Sequence, residues 1–246
     1  MTETDRADRL LVTLGHYPSR AAAQAAISAG YVRVNGEVLA KASAKIRSTD
    51  RIEADPLHPW VSRGGIKLAH ALDIFGIDLA GSTCLDVGAS TGGFTDVLLQ
   101  HGAAHVYAVD VGRGQLHKRL QDDARITSLE ATDARNLTSE QIAQAPSLIV
   151  CDVSFIALEK LLSVPLSLAA PGAQLACLFK PQFQVGREHV GKGGLVTDAS
   201  AVERAETACC NWLEGQGWAV IARADSPIEG GDGNRERLIY ARLNES

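Results

Sequence analysis

Apolar positions in the first 50 residues fall into three short patterns. Leu10, Leu11 and Leu14 share one face of a short helix that stops at Gly15. Residues 20–29 are rich in alanine, with Ser19 placed to cap the start and Gly30 to close the end, which predicts a second helix. Tyr31-Val32-Arg33-Val34 and Glu37-Val38-Leu39 then flank Asn35-Gly36, two residues that tolerate the positive φ angles of a tight hairpin. Two helices and a hairpin in about 50 residues enclose a marginal core, so a bound partner or a neighbouring domain is expected to rigidify it. The two prolines of Asp55-Pro56-Leu57-His58-Pro59-Trp60 make a stiff, extended connector, with Trp60 expected to pack at the domain junction.

From Ser62 the pattern changes to alternating strands and helices. Thr83-Cys84-Leu85-Asp86-Val87 reads as a strand, a glycine-rich loop follows, and a helix runs to Gln100. Residues 105–110, 125–129, 147–152 and 173–180 give four further strands. A helix near 199–214, a strand at 218–224 and a last strand at 237–243 complete the chain. Such alternation implies an α/β fold, a mostly parallel sheet with helices on both faces, whose ligands bind outside the carboxyl ends of the strands. The expected organisation is a small α+β domain over residues 1–54, a linker over 55–61, and an α/β domain over 62–246.

Composition narrows the class. Hydrophobic residues make up 46% of the 246 and charged residues 22%, which excludes a disordered chain. No run approaches the ~20 apolar residues of a spanning helix. The acidic, polar start Met1-Thr2-Glu3-Thr4-Asp5 does not read as a signal or transit peptide. Cys84, Cys151, Cys177, Cys209 and Cys210 are odd in number and lack CxxC spacing, which argues against a disulfide framework or a zinc site; no metal is expected. A reduced, cytoplasmic protein is expected, with a monomer favoured. The net charge of −5 conceals an asymmetry: residues 6–51 carry eight basic and three acidic side chains, a net of +5, leaving −10 for the remainder. A compact basic module on an acidic body fits attachment to a polyanion.

The glycine loop is not a phosphate cradle of either familiar kind. Ser90 stands where a dinucleotide fingerprint needs its second glycine, and Phe94 where a P-loop needs lysine. What remains is a strand carrying Asp86, the turn Gly88-Ala89-Ser90-Thr91-Gly92-Gly93-Phe94, and Asp110-Val111 closing the next strand. A carboxylate at Asp110 suits a ribose diol, which donates hydrogen bonds, and repels a phosphate. Asp133, after the third strand, is placed to receive an adenine amino group. The arrangement resembles the class I S-adenosylmethionine-dependent methyltransferases, which implies S-adenosyl-L-methionine as cofactor.

The fourth strand ends in Cys151-Asp152-Val153-Ser154-Phe155, neither the Asn/Asp-Pro-Pro-aromatic motif of amino-nitrogen methyltransferases nor the Pro-Cys of cytosine-carbon enzymes. Cys151 reads as a small buried hydrophobe. Asp152 has charged company instead. Lys180 ends the fifth strand, Glu236 reaches the same edge if the last strand runs antiparallel, and Lys67 opens the helix before the first strand. These four residues match the Lys-Asp-Lys-Glu tetrad of FtsJ-type RNA ribose 2′-O-methyltransferases.

Val61-Ser62-Arg63-Gly64-Gly65-x-Lys67-Leu68, the glycine turn, Asp110-Val111-Gly112-x-Gly114-Gln115-Leu116, Asp152-Val153-Ser154-Phe155-Ile156, Lys180-Pro181-Gln182-Phe183 and Gly233-Asn234-x-Glu236 together resemble the TlyA family. That resemblance implies 2′-O-methylation of cytidine in ribosomal RNA. The run from Ser19-Arg20 through Asn35-Gly36 to Lys41 resembles the RNA-binding module of ribosomal protein S-four, which implies phosphate contacts from Arg20, Arg33, Lys41 and Lys45, with Arg6 and Arg63 beside them. His58 and Gln184 depart from the arginine and glutamate common in the family.

A ribose hydroxyl is a weak nucleophile. Lys180, neutral at the moment of reaction, is the expected general base or hydroxyl-orienting group, with Lys67 a cationic neighbour and Asp152 and Glu236 orienting the lysines. Two other readings compete: a membrane-active haemolysin, which would need an apolar or basic amphipathic segment that the chain lacks, and a non-catalytic RNA-binding assembly factor.

Overall fold

The computed structural model describes residues 4–244; Met1, Thr2 and Glu3 of the acidic start lie outside the described residues. The chain divides into two compact units, Met1–Pro59 and Trp60–Ser246.

In the first unit, β1 (Thr4–Arg6) leads into α1 (Ala7–Thr13), and α2 (Arg20–Ser28) follows. Ser19 caps α2 by accepting the N–H of Ala22 at 3.2 Å. β2 (Val32–Val34) and β3 (Glu37–Val38) form the hairpin, with Asn35 at φ 53° and Gly36 at φ 87° as the turn requires. Three strands of the unit are not announced by the sequence pattern: β1, β4 (Lys45–Arg47), which pairs with β1, and β5 (Ile52–Ala54), which pairs with β2, both pairings antiparallel. Three-residue strands carry too few alternations to stand out. The core consists of Ala7, Leu11, Ala23, Ala26, Ile27, Val32, Ile46 and Tyr17, whose hydroxyl donates to the carbonyl of Asp55 at 2.7 Å. Three alanines among eight residues make it as thin as the sequence implies.

The second unit opens with α3 (Gly64–Phe75), which stops at Gly76 in the left-handed conformation. Then come β6 (Thr83–Val87), α4 (Gly93–Gln100), β7 (His105–Val109), α5 (Lys118–Gln121), β8 (Ile126–Leu129) and β9 (Leu148–Cys151). Short helices α6 (Leu158–Leu161) and α7 (Ser163–Ser167) precede β10 (Gln174–Phe179) and α8 (Pro181–Gln184). The long α9 (Ala199–Gly215), β11 (Trp218–Asp225) and β12 (Arg237–Leu243) finish it. The sheet order is β11-β12-β10-β9-β6-β7-β8, with β6 to β10 parallel and β12 antiparallel to both neighbours.

Alternation along the strands builds two cores. Leu85, Val87, Ile149, Cys151, Leu175 and Cys177 join Cys209 and Leu213 of α9 in one cluster. Cys84, Val106, Leu148, Val150, Ala176 and Leu178 join Leu68 and Leu72 of α3 and Leu98 of α4 in the other. Both faces are therefore covered, which explains the unbroken apolar runs of the central strands. All five cysteines are buried and free, and burial raises the Cys84 thiol to about 12, so these thiols serve as packing.

Strand order reverses between β6 and β9, and the crevice at such a point opens outside their carboxyl ends. β12 brings one more residue there. Its register sets Arg237 opposite Phe179, so Glu236 and Lys180, each one residue beyond a paired position, meet at the same edge.

Candidate active site

The turn after β6 is shaped by hydrogen bonds donated from its backbone N–H groups. Gly88 and Ala89 both donate to the carbonyl of Val109, at 2.9 and 3.0 Å. Ser90, held at φ 49°, donates its N–H to Asp110 Oδ2 at 2.8 Å, while Oδ1 of Asp110 accepts from Gly112 at 2.7 Å. Asp110 thus fixes the turn and its own loop, and its remaining lone pairs stay open to a ligand. Gly88 is required twice over: φ is +85°, and a Cβ would stand 2.7 Å from the carbonyl oxygen of Asp152. Thr91 and Gly93 line the crevice, Gly92 caps α4, and Phe94 is buried beneath.

Asp86 is wholly buried in β6. Thr95 Oγ1 donates to its Oδ2 at 2.6 Å, but Oδ1 has no hydrogen-bond partner. Burial pushes this carboxyl up to about 7; the nearby Asp152 and Asp110 charges add to the rise and the Thr95 hydrogen bond opposes it. Asp133 is otherwise engaged. It caps the turn Ala134–Asn136 and pairs with Arg135 at 2.6 Å, which leaves only part of its acceptor capacity for an adenine.

Lys67, Asp152, Lys180 and Glu236 gather as two ion pairs. Lys67 Nζ is paired with Glu236 Oε2, and both side chains are almost fully buried. Lys180 Nζ lies 2.5 Å from Asp152 Oδ1 and donates to Ser154 Oγ at 3.2 Å. All four line a cavity of about 640 Å³, together with Arg63 and the glycine turn. A second cavity of about 350 Å³ is lined by Asp110, Val111, Gln115 and Asp133. The two share Gly88, Ser90, Asp152, Ser154 and Phe155. A ligand spread along the glycine turn therefore ends beside Asp152.

Comparison with known proteins gives the same assignment. The model of the FtsJ-like methyltransferase family matches residues 60–243, and that of the S4 domain residues 5–52. The 16S/23S rRNA (cytidine-2′-O)-methyltransferase TlyA of Mycobacterium tuberculosis is 42% identical over 244 residues, 98% of this chain and 91% of that protein. The chain belongs to the FtsJ-like methyltransferase family. A solved structure from Streptococcus thermophilus that carries the name hemolysin is 36% identical, with a TM-score of 0.77 over 100% of this chain and 90% of its own. An S-adenosylmethionine-dependent methyltransferase of Listeria monocytogenes shares the fold at a TM-score of 0.56 and 15% identity, covering 75% of this chain and all of that one.

A methyltransferase site must hold a cationic donor. The open lone pairs of Asp110, which lines the second cavity, suit a ligand that brings hydroxyl donors, as the ribose of S-adenosylmethionine does. Among the described residues no group of three or more His, Cys, Asp or Glu side chains is arranged to hold a metal ion, and no helix is long and apolar enough to cross a membrane.

Further residues in and around this FtsJ-like site stand in the motifs of the sequence, but the part each plays is set by the fold. Phe155 is 91% exposed at φ 70°, with its ring 5.2 Å from that of Phe183. Buried Asn234 accepts the N–H of Val196 and donates to the carbonyl of Gly194, both at 2.9 Å, and so ties the cavity wall to the loop carrying Glu236. The glycine cluster at 230, 231 and 233 was the available hint. Trp60 packs on Gly65, where a Cβ would come within 2.4 Å of its ring, and lies 5.8 Å from the His101 ring.

In the first unit, Arg6 and Arg20 converge on Asp8. Arg33, on the hairpin, donates to the carbonyl of Gly36 at 3.4 Å. Lys41 and Lys45 line a shallow groove beside the hairpin. Arg63 belongs to the second unit, at the mouth of the larger cavity.

Proposed function

We propose that this chain transfers a methyl group to the ribose 2′-hydroxyl of a cytidine in ribosomal RNA. The observation that carries the reading is the meeting of two lysine–carboxylate pairs in a cavity that adjoins the one lined by Asp110 and Asp133. Asp86, Gly88, Ala89, Ser90, Thr91, Gly92, Gly93, Phe94, Asp110, Val111 and Asp133 form the binding surface for S-adenosylmethionine. When bound, it supplies a sulfonium methyl group that is open to in-line attack.

The chain's own residues do the rest. Lys180 Nζ is the atom placed to hold or take the proton of the attacking hydroxyl, and Asp152 with Ser154 fixes that nitrogen from two sides. Lys67 and Glu236 neutralise each other and form the opposing wall. Alignment of this kind contributes roughly 7–11 kcal/mol to barrier reduction in well-oriented reactions, so position outweighs the strength of the base.

The M. tuberculosis relative is named for cytidine 2′-O-methylation of ribosomal RNA, and its 42% identity over nearly the whole chain supports the same substrate class here. The basic S4 domain then docks the RNA through Arg6, Arg20, Arg33, Lys41 and Lys45, with Arg63 at the catalytic mouth. We place the working boundaries at 1–54, 55–61 and 62–246. A cytoplasmic enzyme acting on ribosomal RNA or subunits follows from that substrate.

Mapping 2′-O-methyl nucleotides in ribosomal RNA from cells with and without this chain tests the reading. One or more cytidine 2′-O-methyl groups are expected to vanish with the protein. An unchanged map, or loss of a base methyl instead, contradicts it.

A further inference from the structure

Two loops wall the smaller cavity. Asp110, Val111 and Gln115 come from the loop after β7, Thr132 and Asp133 from the one after β8. The first loop is held by a side chain that does not itself line the cavity. Glu130, half-buried just beyond β8, accepts three consecutive backbone N–H groups. Its Oε2 accepts from Gly114 at 2.7 Å, and its Oε1 from Gln115 at 2.7 Å and Leu116 at 3.1 Å. Successive N–H groups around a left-handed residue, here Gly114 at φ 62°, form a concavity of the kind that captures anions. In this chain the anion is internal. The same N–H groups, Gly114 first, hold the Glu130 carboxyl below its usual range, so it is ionised at neutral pH.

The loop fixed in this way reaches from Asp110 to the glycine turn. Its Gly112 carbonyl accepts the N–H of Ala131 at 2.7 Å, and Thr132 donates its N–H to the carbonyl of Asp110 at 2.9 Å. At the far end, His117 donates its N–H to the carbonyl of Thr91 at 3.1 Å. The Gln115 amide lies against Gly112, where a Cβ would stand 2.0 Å from Nε2. Leu116 packs beside Gly92, where a Cβ would come within 2.9 Å of Cδ1. Glycines at 112 and 114 give this segment much conformational freedom to lose. An anchor that orders it during folding removes that loss from the free energy of ligand binding.

We propose that Glu130 is a positioning residue for the methyl donor: by occupying the nest of Gly114, Gln115 and Leu116, it pre-forms the loop that presents Asp110 and Gln115 to the nucleoside of S-adenosylmethionine. The inference rests on the reading of the smaller cavity as donor surface and adds a residue that acts without lining it. Glu130 bears on the donor's loop and not on the two lysines. Its removal should therefore change donor affinity and leave the transfer rate at saturating donor alone.

Calorimetric binding of S-adenosylmethionine to the full chain, with single-turnover transfer to ribosomal RNA at saturating donor, tests this. Glu130→Ala is expected to weaken donor binding about tenfold, while saturated transfer stays within about twofold. Glu130→Gln turns an amide NH2 toward backbone donors and should lose nearly as much; it keeps the side-chain volume and remains decisive if the alanine variant fails to fold. Glu140→Ala removes the same charge at an exposed residue and should stay within about twofold. Added acetate, compared with chloride at equal ionic strength, is expected to restore part of the donor affinity of Glu130→Ala and none of that of Glu130→Gln, whose side chain still fills the nest. Hydrogen exchange at the amides of 114–116 follows the nest without donor and should quicken in both variants. Faster exchange with unchanged donor affinity, or an equal response of Glu130→Ala to acetate and chloride, overturns the proposal and leaves the donor surface standing. Failure of the parent chain to bind S-adenosylmethionine overturns the donor reading and the role of Glu130 with it.

Discussion

Asp8 in the first unit and Asp86 in the second are equally inaccessible to water, and their surroundings treat them in opposite ways. Asp8 is saturated: Arg6 first, then Gln24 and Arg20, hold its carboxyl well below the usual carboxylate range in spite of burial. Asp86 receives one hydroxyl from Thr95 and keeps one oxygen unpartnered, and burial carries it up to about 7. The first carboxylate does its work inside the fold, fixing two arginines. The second is left under-satisfied at a cost in stability, on the strand that leads into the glycine turn of the candidate site.

Exchanging each acid for its amide gives the largest expected contrast. The folded-state pKa of Asp86 lies above its ordinary value of 3.8, so its stabilising contribution is complete below 3.8 and is lost as pH rises through about 7. Asp86→Asn should therefore stabilise the ligand-free second unit at pH 8, by up to roughly 4 kcal/mol, flatten its stability profile between pH 4 and 8, and weaken donor binding. Asp8→Asn should do the reverse: the lowered pKa of Asp8 gives stability that is present above 3.8 and is lost in acid, so the amide destabilises the first unit at pH 8. Tryptophan fluorescence follows the second unit alone, since Trp60, Trp212 and Trp218 all lie there, and amide exchange in α2 follows the first. Equal effects of the two substitutions would dissolve the contrast.

A smaller effect is expected where the site is neither saturated nor open. Lys180 keeps Asp152 as its charge partner and Ser154 as a neutral one. Ser154→Ala removes only the neutral hydrogen bond, worth about 1 kcal/mol, so kcat should fall roughly three- to tenfold with donor affinity unchanged. A fall in donor affinity instead would move Ser154 from the reacting centre to the cofactor surface.

The central strands were legible because both faces are buried, which leaves unbroken runs such as Leu148-Ile149-Val150-Cys151. Strands of two or three residues in the first unit, and helices α5 to α8 of four or five residues, fall below any periodic signal. At the site, apolar runs that end abruptly in charge mark Asp152 and Lys180 and show that both reach one sheet edge. The pairing itself, Lys67 with Glu236 and Lys180 with Asp152, depends on the antiparallel register of β12 and on the packing of α3, which no local pattern encodes. Asp133 illustrates the same limit: its position after β8 is readable, but its engagement with Arg135 two residues later is a choice of side-chain rotamer. The saturation of Asp8 was not legible because its partners Arg20 and Gln24 are brought by a separate helix and a buried aspartate runs against the usual placing of charge.

The most direct measurement pairs calorimetric binding of S-adenosylmethionine with single-turnover methyl transfer to ribosomal RNA for Lys180→Ala. Donor affinity is expected to stay within about twofold of the parent while the transfer rate falls by at least about 100-fold. Undiminished transfer would remove Lys180, and with it the paired-lysine mechanism, from the chemistry of this protein.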